Sequence, residues 1–224
     1  MKNIISNKIF KDSGIWRLDG GKDIDYSDGS EHENYLNKIL KSAIDLSSDS
    51  DELTVLAKDW TSEYHLSKKR AQLLNSFKFD RNSSVLEVGC GCGAISRYLG
   101  ETFDEVISIE GTFARAKLAK ERTKDLETVN IVNAPFQDLD FIKKFDLIIC
   151  VGVFEYSSAF ISGQDPHDKA LSYFSSLLKP NGTLIIAIEN QFGLKYYSPI
   201  GPIGLTWGFP IMDEEYDIKR MFLF

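Results

Sequence analysis

Residues 84–93, Ser-Val-Leu-Glu-Val-Gly-Cys-Gly-Cys-Gly, set an apolar run directly against three alternating glycines. A short run of this kind, bounded by a turn signal, reads as a strand buried on both faces. Glycines at 89, 91 and 93 let the backbone turn sharply and come close to a ligand with no side chain in the way. A helix starting just after them would aim its free N–H groups at the same place. The pattern therefore asks for a strand, a tight loop and a helix, which is the opening unit of a doubly wound α/β sheet.

The rest of the chain supports that architecture. From residue 83 on, strand and helix signals alternate. Strands are expected at 84–88, 106–110, 129–133, 145–151 and 183–188, each short and rich in Val and Ile. Helices are expected at 94–100, 112–124, 136–142 and 167–178, with a turn at Lys179-Pro180-Asn181-Gly182. This predicts an α/β chain: a Rossmann-like, doubly wound, mostly parallel sheet with helices on both faces. Ahead of it, residues 1–30 read as poorly ordered, with Gly20-Gly21 and Ser27-Asp28-Gly29-Ser30 and few apolar anchors. Helices follow at 31–46, 51–58 and 65–76. Three regions result: a partly disordered and helical extension (1–60), a cofactor-binding domain (61–190) and an acceptor-side tail (191–224).

A net charge of −7 argues against a general nucleic-acid binder, which needs a basic footprint. No apolar run approaches the roughly 20 residues of a membrane span, and the N-terminus lacks the apolar core of a signal peptide. Two of the three cysteines lie inside the glycine loop, so no disulfide framework is expected, and the chain reads as reduced and cytoplasmic.

The glycine spacing discriminates between ligands. A dinucleotide fingerprint is Gly-x-Gly-x-x-Gly, which seats a pyrophosphate. Here the glycines alternate and Glu87 stands two residues before the first. A carboxylate suits a cationic ligand end, such as the amino group of a methionine moiety, and repels a pyrophosphate. S-adenosylmethionine is thus preferred to NAD.

Ligands of open parallel sheets bind at the carboxyl ends of the strands, which selects the other candidates. Glu110, ending the second predicted strand, can accept two hydrogen bonds from ribose hydroxyls; its bland alternative is a solvated strand-end charge. Asp138 could accept from an adenine amino group and Phe136 could stack on the ring. The alternatives are a helix N-cap and a core aromatic. Cys90, Gly111 beside Glu110, and Val151 at the end of the fourth strand complete the cofactor set. Glu155 and Tyr156 follow Val151 where a transferable group would be presented, against the alternative of surface charge and a packed aromatic. Cys90 and Cys92 offer only two thiols, too few for a tetrahedral metal site, and are read as small loop residues. His167, at a helix start after Asp165-Pro166, is either a general base or a surface residue.

Together, residues 85–93, Glu110, Asp138 and the five-strand order resemble class I S-adenosylmethionine-dependent methyltransferases. A closer likeness spans about residues 26–197. Trp60-Thr61-Ser62-Glu63-Tyr64-His65-Leu66-Ser67 with Arg70 and Leu73-Leu74, then Gly91–Arg97, Phe154-Glu155-Tyr156 and the run 187–196 look like bacterial methyltransferases found with glycosyltransferases of surface-polysaccharide (O-antigen-like) assembly. The resemblance implies that Glu87, Gly89 and Gly91 surround the methionine part, Glu110 the ribose and Asp138 the adenine, with Gly93 also in the cofactor set. Tyr64 and His65 would cover the cofactor, and Glu189 and Asn190 would face the acceptor, with strand-terminal capping as their alternative. It further implies a glycan or other small-molecule acceptor, with glycosyltransferases of the same pathway as partners. For a hydroxyl acceptor, His167, Glu155 and His65 are the available bases.

The tail departs from the family pattern. After Leu194-Lys195-Tyr196, relatives continue with a Gly-Ala-Pro-Glu-Asp-His-like segment. This chain reads Tyr197-Ser198-Pro199-Ile200 and offers one candidate strand, 218–224. The closing C-terminal antiparallel hairpin of the class is therefore expected to be incomplete. Two other functional readings stay open: a methyltransferase on an unrelated small molecule, and an inactive cofactor-binding or interaction module left by truncation.

Overall fold

Five short apolar runs build the parallel core of the sheet, and the helices between them cover it. The computed structural model describes residues 1–188 apart from Lys2, Asp25 and Asp28, and Met1–Ala187 forms one compact unit. Two strands come first, β1 (Ile9–Asp12) and β2 (Ile15–Leu18). Four helices follow: α1 (Ser30–Ser42), α2 (Asp51–Val55), α3 (Trp60–Leu66) and α4 (Lys69–Gln72). The alternating part runs β3 (Ser84–Val88), α5 (Ala94–Thr102), β4 (Glu105–Glu110), α6 (Phe113–Arg122), β5 (Val129–Asn133) and β6 (Phe145–Val151). It closes with α7 (Ser157–Phe160), α8 (Pro166–Leu177) and β7 (Leu178–Ala187).

The seven strands form one sheet in the order β1-β2-β5-β4-β3-β6-β7. All pairs are parallel except β1 with β2. Successive residues of β3 serve opposite faces, as the strand period of two requires. Leu86 and Val88 join Ile107, Ile109 and Ile148 on one side, while Val85 joins Val106, Ile131 and Leu147 on the other. The expected doubly wound sheet is present, and β3, β5 and β6 occupy the predicted residues.

The expectation of a poorly ordered N-terminus is corrected. Residues 9–18 form a hairpin across Ser13-Gly14, both with positive φ (51° and 83°), the backbone of a primed two-residue turn. β2 then pairs with β5 through Trp16↔Val132 and Arg17↔Asn133, and Ile15 is fully buried. Ser-Gly between two four-residue runs was the available signal.

Two further expectations shift. The helix predicted at 65–76 begins earlier and divides, because Asp59 and Ser62 form a reciprocal capping box at 2.8 and 3.1 Å and Ser67 is extended. Over 136–142 only a single tight turn forms, Phe136–Asp138. The expected turn at 179–182 survives as a bulge: pairing jumps from Phe145↔Leu178 to Leu147↔Thr183. Among the described residues no helix is long and apolar enough to cross a membrane. The candidate strand 218–224 lies outside the described residues.

Candidate functional site

From β3 the chain winds to β4 and β5 on one side, then crosses to β6 and β7 on the other. The switch point between β3 and β6 opens a crevice at their carboxyl ends, and the glycine loop sits there. Gly89 and Cys90 N–H both donate to the Ile109 carbonyl at 2.9 Å, and Gly93 N–H donates to the Cys90 carbonyl at 3.0 Å. Glu110 ties two loops together. One carboxylate oxygen accepts from Gly91 N–H at 2.8 Å, the other from Thr112 N–H at 2.9 Å. At Gly91, with φ +55°, the only atom among the described residues that an added Cβ would approach is His65 Cε1, 4.0 Å away. The backbone there forms an open cradle. Burial raises the Glu110 pKa, against the pull of the Thr112 N–H, the Arg115 charge and the Gly91 N–H.

Glu87 faces inward beneath this loop. It is buried at 3% exposure, and one carboxylate oxygen accepts from Ser96 and Ser108 hydroxyls, both at 2.6 Å. Ser108 is its register partner on β4. Burial pushes the Glu87 pKa from 4.5 up to about 7, although both serine bonds oppose the rise. The folded chain therefore keeps a proton that the unfolded chain releases above about pH 4.5. That contribution to stability is complete below pH 4.5 and lost as pH rises through 7. Glu87→Gln, neutral at every pH, is expected to flatten the decline between pH 5 and 8 by on the order of 2 kcal/mol. Urea melts of both proteins at the two pH values check this, and equal slopes would place the titration elsewhere.

Helix α3 lies across the crevice. Tyr64 Oη comes within 3.1 Å of the Cβ position of Gly152, just past β6, while His65 covers Gly91. The two rings meet edge-on at 5.0 Å, and the Arg70 guanidinium stacks 3.9 Å from the Tyr64 ring centre. The end of the helix is held from below: Arg122, 1% exposed, donates to the His65 carbonyl at 2.7 Å. Burial lowers the Arg122 pKa to about 10. Arg97 donates to the Arg122 carbonyl at 3.2 Å and to Glu101 at 2.6 Å, and Glu101 accepts from the Ser48 hydroxyl at 2.5 Å. The N-terminal helices are thereby fastened over the glycine loop.

The structure gathers Glu87, the loop 89–93, Glu110, Gly111, Tyr64, His65 and Val151 at the carboxyl edge. Glu155 is buried in the turn after β6, where its charge acts on Tyr64 and Cys150. Tyr156 is half-buried beside it. His167, on the first turn of α8, meets the Phe154 ring edge-on at 5.2 Å. Phe136 is not brought to the edge. It packs at 5.4 Å from Phe174 and 5.9 Å from Tyr173 in the core, so the stacking expectation gives way to the core-aromatic one. Asp138 is exposed, and its carbonyl accepts from Asn7. Glu189 and Asn190 lie outside the described residues. Among the described residues, no three His, Cys, Asp or Glu side chains are grouped to hold a metal. Cys90 and Cys92 are buried in apolar clusters, and burial drives the Cys90 thiol pKa well up.

Sequence reasoning missed Asn133. Its amide donates to the Glu110 and Gly111 carbonyls at 3.1 and 3.3 Å and accepts from Arg17 Nε at 3.1 Å. A polar residue ending the apolar run 129–133 was the only sign of it.

Residues 86–186 match the methyltransferase domain family model. Over 103 residues, 46% of this chain, it is 30% identical to the cyclopropane-fatty-acyl-phospholipid synthase of Escherichia coli, covering 25% of that protein. It is 29% identical to an uncharacterized methyltransferase of Alkaliphilus oremlandii, covering 44%. The chain thus spans less than half the length of the curated relatives it matches. Among solved structures, the N-methyltransferase NodS of Bradyrhizobium japonicum, bound to S-adenosyl-L-homocysteine, aligns with a TM-score of 0.45 at 21% identity, over 69% of this chain and 71% of that one. Residues 86–186 are thus similar to a methyltransferase domain and lie on a doubly wound, mostly parallel sheet, and S-adenosylmethionine is the group against which the site is tested. The residues fit that group: an open backbone cradle at Gly91 and a buried carboxylate at Glu110 with lone pairs to spare.

Proposed function

We propose that this chain transfers a methyl group from S-adenosylmethionine to an acceptor oxygen on a glycan or polysaccharide precursor. The observation that carries the cofactor half is the Glu110 carboxylate, which joins the loops after β3 and β4 at the switch point beside the open face of Gly91. The sugar acceptor is supported by the family resemblance around Trp60–Ser67 and Phe154–Tyr156.

When bound, the cofactor supplies a methyl group on a sulfonium, open to in-line attack by the acceptor. In this reading the loop at Gly89, Cys90, Gly91 and Gly93 receives the methionine part, and the inward-facing Glu87 holds Ser96 and Ser108 beneath it. Glu110 takes the ribose hydroxyls. Tyr64 and His65 exclude water from above, and holding both reactants in line supplies much of the acceleration. A hydroxyl acceptor must lose its proton, for which Glu155, His65 and His167 are the available groups, with Tyr156 on the acceptor side. A phosphate oxygen needs no base.

The first test is calorimetric titration of the 224-residue chain with S-adenosylhomocysteine, with NAD as control. One-to-one binding of the former and none of the latter is expected. Transfer of label from methyl-labelled cofactor to a polysaccharide fraction then tests the acceptor. Label appearing only on unrelated small molecules would sink the glycan assignment, and a folded chain that ignores S-adenosylhomocysteine would sink the whole reading.

A further inference from the structure

The chain leaving β2 runs across the carboxyl end of β4. Ile24 N–H donates to the Gly111 carbonyl at 3.0 Å. Two residues on, the Tyr26 carbonyl accepts from the Thr112 hydroxyl at 3.5 Å, and the Arg115 guanidinium lies 4.3 Å from the Tyr26 ring centre. This strap thus grips the residues immediately after Glu110. Gly111 itself has no side chain, and Ile24 fills the room one would take. A Cβ built on Gly111 would stand 2.3 Å from Ile24 Cδ1 and 2.8 Å from Cγ1, and its three nearest neighbours are all atoms of Ile24. Gly111 is not among the positive-φ glycines, so its backbone does not demand glycine. What demands it is the space that Ile24 occupies.

Position 111 matters for the cofactor. It lies between Glu110, which we assign to the ribose, and the end of β5, to which Asn133 fastens both residues. In that cofactor reading, a base carried by a ribose at Glu110 would be directed toward this strip. A flat heteroaromatic ring needs an apolar wall on at least one face; Phe136, just past the end of β5, is withdrawn into the core, and Phe113 packs against the Arg17 guanidinium. We propose that Ile24 is that wall: the N-terminal strap supplies, from 87 residues away in sequence, the apolar side chain that position 111 lacks, and the adenine packs against it. Ile24 is half-buried, and the hairpin β1–β2 anchors the strap by its parallel pairing with β5. The inference rests on the cofactor reading above and adds to it a specificity-determining residue outside the matched region 86–186.

A side-chain exchange tests it. The full chain, Ile24→Ala, Ile24→Gly and the double variant Ile24→Gly with Gly111→Ile are titrated with S-adenosylhomocysteine and with adenosine, with thermal melts alongside. Ile24→Ala is expected to weaken both ligands about tenfold, since a half-buried side chain realises only part of what burying three carbons contributes. Ile24→Gly should weaken them further, and the double variant, which returns the same side chain from the other backbone, should recover most of the loss. A purely structural packing role would lower melting without the parallel loss for adenosine. Unchanged affinity in Ile24→Ala, or a double variant no better than Ile24→Gly, would overturn the wall alone. A wild-type chain that binds neither ligand would overturn the cofactor reading and the wall with it.

Discussion

Gly93→Ala is expected to lower the melting temperature by roughly 6–12 °C, corresponding to about 3 kcal/mol in a chain of this length. Two costs add. Gly93 caps α5 in the left-handed region, with φ 83° and ψ 18°, where an L side chain costs roughly 1–2 kcal/mol. Its Cβ would also stand 2.7 Å from Ala119 Cα and 3.1 Å from Ala119 Cβ. The first of these is helix backbone, which cannot swing aside, so α5 and α6 must separate at the loop, an overpacking cost of roughly 1–3 kcal/mol. Gly20→Ala is the control: its φ is +71° and nothing among the described residues lies within 4 Å of the added atom. It should cost the backbone term alone. If Gly93→Ala melts no lower than Gly20→Ala, the close approach of the two helices is not what holds the glycine.

Glu110→Ala is expected to weaken S-adenosylhomocysteine binding at least tenfold, about 1.4 kcal/mol or more. An ionised carboxylate offers about four lone-pair sites. The backbone takes two of them, through Gly91 and Thr112, which leaves two for a pair of vicinal hydroxyls. Charge-assisted bonds of this kind are the stronger sort. Removal also leaves the Gly91 and Thr112 N–H groups without an acceptor, at about 1–3 kcal/mol for each one kept from water. Calorimetry and urea melts separate the two losses. A folded variant with an unchanged dissociation constant would remove Glu110 from the cofactor site.

Both predictions rest on residues that the sequence alone singles out. The alternating glycines and the strand-end carboxylate occupy the loop and the strand terminus where a sheet-edge site was expected. Tyr64 and His65 were placed above the site by resemblance, and the means of holding them there, a buried arginine reaching up from α6 to the His65 carbonyl, had no local sign. Glu87 was read as a carboxylate turned toward a ligand. Register with Ser108 and the proximity of Ser96 turn it inward. Phe136 could not be assigned from its neighbours, since a core aromatic and a stacking aromatic look alike until Phe174 and Tyr173 are known to surround it.

The sequence by itself determined the strands of the parallel core, the loop that breaks after Val88 and the class of ligand that such a loop admits. Those follow from short apolar runs, from turn chemistry and from charge, all carried by adjacent residues. Only the tertiary structure decided that residues 9–18 extend the sheet beside β5, that Arg122 is buried beneath α3, and that Ile24 fills the space above Gly111. Each of these joins residues 57 to 116 positions apart, and their energy comes from which surfaces the completed sheet leaves uncovered. No local pattern carries that information, because the partner exists only once the chain has folded.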